Sequence, residues 1–370
     1  MSRKVLPVVF SGLAPFMNNK ILDRSFMAKY PGGEAGTVWA ERIVSAGYEF
    51  MTIDRYYYQD RKRPALLISD MASGVDKSSG LIPALCMSLE SPIVASRYYH
   101  HIARKTRPFQ KIWDWAGAAR RIPDAAGRFM SNAWPTTANR STTFVPWKNR
   151  RFLTLISSNK RALQWNRHPF SLVEPHRWAR NLVSNFNTTY IKTVDDWMKS
   201  ELYLERLQAI SYFARYQSFD LYGSGWNILQ SKAERSVRDQ IARSWRGKLH
   251  KNKIEFLTNY QFYLCFENTS FPGYLTEKIF ECLFSGVIPV YLGDPDIQKR
   301  VPAEAFIDAR HFSSYSELDD FLQSVTPALA NDYLDAARQF LESDSFYPFT
   351  AEALADTILF TMNEVCALYQ

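Results

Sequence analysis

The chain has 370 residues, 46% of them apolar and 22% charged, with a formal net charge of +8. This is globular composition, long enough for about two domains. No run of 18 apolar residues occurs, and the apolar stretch after Met1 is too short for a signal peptide or membrane span, so a soluble or peripheral protein is expected.

The positive charge is uneven. Arg97–Arg151 carries twelve Lys and Arg against two acids, Asp114 and Asp124. Such a stretch favours an anionic partner: membrane headgroups, an acidic glycan, a nucleotide phosphate or nucleic acid. Four cysteines, Cys86, Cys265, Cys282 and Cys366, form no CxxC pair, and three lie in apolar runs. They read as buried free thiols rather than a disulfide or zinc framework, which fits a reducing compartment.

In chain order, Val5–Phe10 reads as a strand and Thr37–Ala46 as a helix stopped by Gly47. Tyr48–Ile53, Ala65–Ile68 and Ala84–Leu89 read as strands, the last leaving through Glu90-Ser91-Pro92. Strands separated by crossovers suggest a parallel α/β sheet. Residues 104–150 read as an irregular excursion that ends in a linker near Val145-Pro146-Trp147. Phe152–Ile156 opens a second α/β series, and residues 160–198 look like a polar, Trp-rich insertion. Glu201–Tyr216 reads as an amphipathic helix with Leu202, Leu204, Leu207, Ile210 and Phe213 as its apolar set, and Phe219–Tyr222 as a strand. The tail, Ala351–Leu368, is expected to be helical.

The segment between these carries the chemistry. Phe262–Phe266 has a buried-strand pattern, and Glu267–Tyr274 is a polar, turn-rich loop. A helix from Glu277 to Ser285 presents Ile279, Phe280, Leu283 and Phe284 on one stripe and stops at Gly286; Val287–Leu292 is the next strand. The loop falls at the carboxyl end of a parallel strand, where open α/β sheets bind ligands. A helix N-terminus there suits a diphosphate. Lys278 carries the wrong charge for the first helical turn unless it faces a phosphate, and Glu277 has the acceptors that ribose hydroxyls need.

Phe266-Glu267-Asn268-Thr269, Gly273-Tyr274-Leu275-Thr276-Glu277-Lys278-Ile279 and Ile288-Pro289-Val290-Tyr291-Leu292-Gly293 together resemble the donor-binding signature of glycosyltransferase family 10, the α1,3/4-fucosyltransferases, of bacterial type. The similarity is clear over about residues 245–312, weaker over 150–226 and faint near Glu90. The resemblance implies an α/β, GT-B fold, two Rossmann-like domains facing across a cleft. It implies residues 1–148 as the acceptor-binding domain, 149–345 as the nucleotide-sugar donor domain, and 346–370 as a helix packing back on the first. It implies GDP-fucose as donor and a glycan hydroxyl as acceptor, with Asn268, Tyr274, Glu277 and Lys278 at the donor. Ser158-Asn159 matches the family's strand end, which makes Asn159 a donor contact. Arg206 matches the family's phosphate-binding Arg, with Arg246 as its rival. Leu89-Glu90-Ser91-Pro92 resembles the strand exit that bears the catalytic base, which makes Glu90 the base of an inverting transfer.

No cofactor or metal is expected. Asp195-Asp196 and Asp319-Asp320 sit in helix-like context, and Asp294-Pro295-Asp296 reads as a turn. The expected setting is cytoplasmic, with an anionic membrane face as a candidate partner of the basic stretch. The alternatives are a transferase of another GDP-sugar, a catalytically silent member of the fold, and a nucleic-acid-binding protein acting through residues 97–151. The last lacks a recognisable nucleic-acid motif.

Overall fold

The computed structural model describes residues 6–30, 32–137, 139–143, 145–159, 200–226, 235–250 and 252–369. The chain forms two compact units. The first comprises Met1–Thr137, Pro272–Glu277 and Ser343–Gln370; the second comprises Ala138–Phe271 and Lys278–Glu342. The first unit ends at Thr137, where the sequence placed the boundary at 148, and besides the C-terminal segment it takes in Pro272–Glu277.

The first unit is built on six parallel strands, β1 (Val8–Ser11), β2 (Phe50–Thr52), β3 (Ala65–Asp70), β4 (Leu81–Met87), β5 (Lys111–Asp114) and β6 (Phe129–Ser131), in the order β2-β1-β3-β4-β5-β6. Parallel strands are covered on both faces, so they need continuous apolar runs. Val8-Val9-Phe10 and Leu66-Leu67-Ile68 supply them and are buried. The Gly33–Ser45 helix covers this sheet through Trp39, Ala40 and Ile43. The C-terminal helix, Ala351–Ala367, joins the same core through Leu354, Ile358, Met362 and Val365. Its flank is tied by an Arg42–Asp356 ion pair and by Tyr48 Oη donating to Asn363 Oδ1 at 2.7 Å.

The second unit holds β7 (Arg151–Ile156), β8 (Phe219–Tyr222), β9 (Tyr260–Phe266), β10 (Ile288–Leu292) and β11 (Ile307–Asp308), all parallel, in the order β11-β10-β9-β7-β8. Counted from its own first strand, this is the same winding as in the first unit, read from the other edge. In such sheets the order reverses between the first and third strands, and the crevice at their carboxyl ends is the ligand position. Here those strands are β7 and β9. The fold class expected from the resemblance, two Rossmann-like α/β domains, is the one observed.

The departures from the sequence reading have local causes. The stretch 104–150 contains β5 and β6, each too short to show a period in sequence. The strand read at Tyr48–Ile53 stops at Thr52, and the Ile53–Asp60 helix begins at once. The helix read at Glu201–Tyr216 spans Tyr203–Phe213, and its buried set is Tyr203, Arg206, Ala209, Ile210 and Phe213. Leu204, read as part of the apolar set, is 43% exposed; a cation occupies the buried stripe instead. The insertion read at 160–198 lies outside the described residues.

Two glycines test the local geometry. Gly223, after β8, has φ +132°, and a Cβ there would lie 2.0 Å from the Ser157 carbonyl oxygen after β7. Gly286 ends the Glu277–Ser285 helix at φ +67° with open space around it. Gly286→Ala is expected to cost only the left-handed penalty, about 1 kcal/mol. Gly223→Ala adds overpacking and is expected to cost about 3 kcal/mol. Urea denaturation measures both, and equal losses would contradict this reading of the β7/β8 exits.

Candidate active site

The centre of the second unit's site is Arg206. Its helix carries it on the buried face, 6% exposed, to the place where β7 and β9 diverge. Its Nη2 donates to the Phe266 carbonyl at the end of β9 (2.8 Å) and to Asn268 Oδ1 (2.9 Å), while Nη1 reaches Ser157 Oγ past the end of β7 (3.3 Å). The guanidinium carbon lies 5.3 Å from the centre of the Tyr203 ring. All these acceptors are neutral, and Nε is buried with no hydrogen-bond partner among the described residues. Arg206 shares a small pocket with Ser157, Ser158, Asn159, Tyr203 and Trp226. Asn159 is held there by its backbone N–H on the Ser224 carbonyl (2.8 Å) and its Nδ2 on the Gly225 carbonyl (3.3 Å).

Lys278 and Glu277 open the Glu277–Ser285 helix, as the motif required, and both are half-buried. The Ile279, Phe280, Leu283 and Phe284 stripe is buried. Lys278 Nζ lies 2.9 Å from Glu267 Oε2, and Glu267 is fully buried at the end of β9. Glu267 was visible in the motif but was given no role. Removing one partner of a buried pair typically costs about 3–5 kcal/mol, so Lys278 holds the strand end as well as facing the loop.

Arg246 is held elsewhere. Its Nε donates to the buried carboxylate of Asp220 (2.8 Å), which also takes Arg151 (2.7 Å) and the Tyr260 hydroxyl (2.8 Å). Of the two rivals, Arg206 is the one that reaches Asn268. Asp294 forms the turn read from sequence, its Oδ1 accepting from the Asp296 N–H (2.9 Å). Among the described residues, no group of three or more His, Cys, Asp or Glu side chains is placed to hold a metal ion. All four cysteines are buried free thiols.

Glu90 lies three residues beyond β4 and its side chain is exposed. Its carbonyl accepts from Tyr99 Oη (2.9 Å) and Trp115 Nε1 (3.0 Å). Trp115, fully buried, also meets the Tyr274 ring edge-on with centroids 4.9 Å apart. The neighbouring Gly117 N–H donates to the Pro272 carbonyl (2.8 Å). Tyr274 of the motif loop and the Glu90 backbone therefore rest on one indole.

Two further carboxylates stand at these strand ends, and sequence reasoning passed over both. Asp70 closes β3; burial and the nearby charge of Glu90 raise it to about 7. Asp114 closes β5 and is fully buried. Burial raises it to about 7 against hydrogen bonds from Tyr99 Oη (2.8 Å), the Trp115 N–H (2.7 Å) and Tyr98 Oη (3.0 Å). A signal for Asp114 existed: it is one of two acids in the basic stretch, and it follows the apolar Ile112-Trp113.

Residues 183–335 match the glycosyltransferase family 10 (fucosyltransferase) C-terminal domain. Over 93 residues the chain is 42% identical to the α-(1,3)-fucosyltransferase FucT of Helicobacter pylori, covering 25% of this chain and 19% of that protein. Over 77 residues it is 38% identical to 4-galactosyl-N-acetylglucosaminide 3-alpha-L-fucosyltransferase 9 of Mus musculus, covering 20% and 21%. These matches span about a fifth of the curated relatives' length. A crystal structure of an α1,3-fucosyltransferase with GDP superposes with a TM-score of 0.52 at 15% identity, covering 98% of this chain and 92% of that one, a likeness of fold. The fold that the two sheets and this likeness define is the GT-B architecture, two Rossmann-like α/β units. The family match covers residues 183–335, under half of the chain.

The raised carboxylates make stability depend on pH with a definite sign. Asp70 and Asp114 sit near 7 when folded, against 3.8 as their ordinary value. Their contribution is fully present below about 3.8 and is lost as pH rises through about 7, because the unfolded chain releases those protons first. Unfolding free energy from urea titrations is expected to fall between roughly pH 5 and pH 7 and to fall less in the Asp70→Asn, Asp114→Asn double variant. The same slope in both proteins would refute the shifts.

Proposed function

We propose that the chain is an inverting fucosyltransferase that moves fucose from GDP-fucose to a glycan hydroxyl, forming an α1,3 linkage. The observation that carries this reading is Arg206: a buried, permanently charged fork at the switch point of a parallel sheet, meeting only neutral acceptors among the described residues. Such a group fits an anion. A nucleoside diphosphate is the anion that the family match recommends.

In this mechanism the acceptor oxygen attacks the anomeric carbon as the bond to the diphosphate breaks. Negative charge grows on the departing phosphate, where Arg206, Lys278 and the N-terminus of the Glu277–Ser285 helix stabilise it. Asn159, Asn268, Tyr274 and Glu277 orient the donor. Glu90 takes the hydroxyl proton. Protein cations meet the diphosphate charge, so transfer needs no divalent ion and persists in chelator. A surface polysaccharide or lipopolysaccharide-type glycan is the acceptor class we favour, built at the inner face of a cell membrane by a cytoplasmic, peripheral enzyme. The exposed Arg97, Arg104 and Arg107 support that setting. No helix among the described residues is long and apolar enough to cross a membrane.

A donor panel tests the reading directly. Thermal shift and slow hydrolysis with GDP-fucose, GDP-mannose and UDP-sugars should single out GDP-fucose; a preference for another GDP-sugar would replace the donor and leave the mechanism. Glu90→Gln should lower turnover by about 100-fold or more while GDP affinity holds within a few-fold, and unchanged turnover removes Glu90 as base. Arg206→Met should weaken GDP binding by about ten-fold or more in calorimetry, since a charge-assisted contact is worth roughly 1.5–3 kcal/mol. Unaltered affinity would sink the diphosphate assignment.

A further inference from the structure

Resting on Glu90 as the base, we propose that Asp114 is a positioning residue: in its protonated form it lets Tyr99 donate to the Glu90 carbonyl and so fixes the β4 exit from which the base extends. Protons are scarce around Tyr99. The Tyr99 hydroxyl has one, yet two oxygens stand close to it, the Glu90 carbonyl at 2.9 Å and Asp114 Oδ1 at 2.8 Å, while Ser88 Oγ, farther off at 3.3 Å, has a proton of its own to give. A carbonyl only accepts. Both contacts are hydrogen bonds at once when Asp114 gives its proton to Tyr99 Oη and Tyr99 gives its own to Glu90. The other Asp114 contacts fit, because Tyr98 donates to Oδ2 and the Trp115 N–H donates to Oδ1.

The surroundings favour the neutral acid. Asp114 is fully buried and faces Asp70 from β3, Cys86 from β4, and Tyr98 and Tyr99 from the Ser96–His100 helix. Burial raises both tyrosines well above their ordinary values, so they keep their protons. Burial brings Asp114 to about 7. When Asp114 ionises, Tyr99 turns its proton to Oδ1. The Glu90 carbonyl then keeps Trp115 Nε1 (3.0 Å) but loses the Tyr99 donor. The same indole carries Tyr274, so the loosening reaches the motif loop as well.

The test uses the full chain and GDP-fucose hydrolysis, with water as acceptor so that the unidentified glycan is not needed. Wild-type turnover should fall along an alkaline limb near pH 7. In Asp114→Asn the Trp115 N–H, 2.7 Å from Oδ1, holds the amide oxygen at that position, where it takes the Tyr99 proton at every pH. That variant should turn over about ten-fold or more slowly at pH 6, show no alkaline limb, and keep its GDP affinity and melting temperature. Tyr99→Phe, which leaves Asp114 in place but removes the donor to Glu90, should show the same loss of turnover. Asp70→Asn should retain the limb, which separates Asp114 from its neighbour. Wild-type turnover and an unchanged limb in Asp114→Asn would overturn the proposal. Should that variant fail to fold, wild-type turnover in Tyr99→Phe overturns it instead. Glu90→Gln separates the two readings. If it turns over normally, the base assignment is lost; if it is inactive while Asp114→Asn is normal, only the positioning role is lost.

Discussion

A guanidinium buried at the end of a parallel sheet sets the terms for the second unit. Arginine does not shed its charge on burial, so Arg206 needs oxygens, and it takes them from the end of β9, from Asn268 and from Ser157 beyond β7. The divergence of β7 from β9 gives it room. The Tyr203–Phe213 helix must turn a cation inward on a face otherwise made of Tyr203, Ala209, Ile210 and Phe213. Beside it, Lys278 and Glu267 form a pair of zero net charge. The positive character of that sheet end therefore rests chiefly on Arg206 and on the helix terminus.

The first unit answers the opposite demand. Its strand ends gather carboxyl groups, Asp70, Glu90 and Asp114, and burial raises the first and last to about 7, far above the ordinary carboxylate range. Negative charge on one of these groups makes its neighbours hold their protons more tightly, as Glu90 does for Asp70. Trp115 gives this arrangement its rigidity. One fully buried side chain binds the Glu90 carbonyl, follows Asp114 in the chain and supports Tyr274.

The motif region was the most readable part of the sequence. The Glu277–Ser285 helix, its stop at Gly286 and the flanking strands follow from apolar spacing and one left-handed glycine, and all lie within a residue or two of where they were read. Long apolar runs such as Leu66-Leu67-Ile68 were equally plain. What escaped notice was short or inverted in pattern. β5 and β6 have four and three residues. Arg206 was recognised through resemblance, but its place on a buried stripe was not, because apolar periodicity assigns cations to solvent. Asp114 and Trp115 act through contacts with residues far along the chain, and a single sequence does not display such contacts.

The first unit is also discontinuous in a way that bears on how the chain matures during synthesis. Its core is lined by Val8, Phe10 and Trp39 near the start and by Leu354, Ile358 and Met362 near the end. A nascent chain halted at Glu342 would already contain every described strand of both sheets, yet the first sheet would lack the helix that completes its apolar cover. Domains usually close from the N-terminus as they leave the ribosome. Here the order is set the other way: the unit begun first is the one that waits, with apolar surface open to chaperones until the Ala351–Ala367 helix arrives.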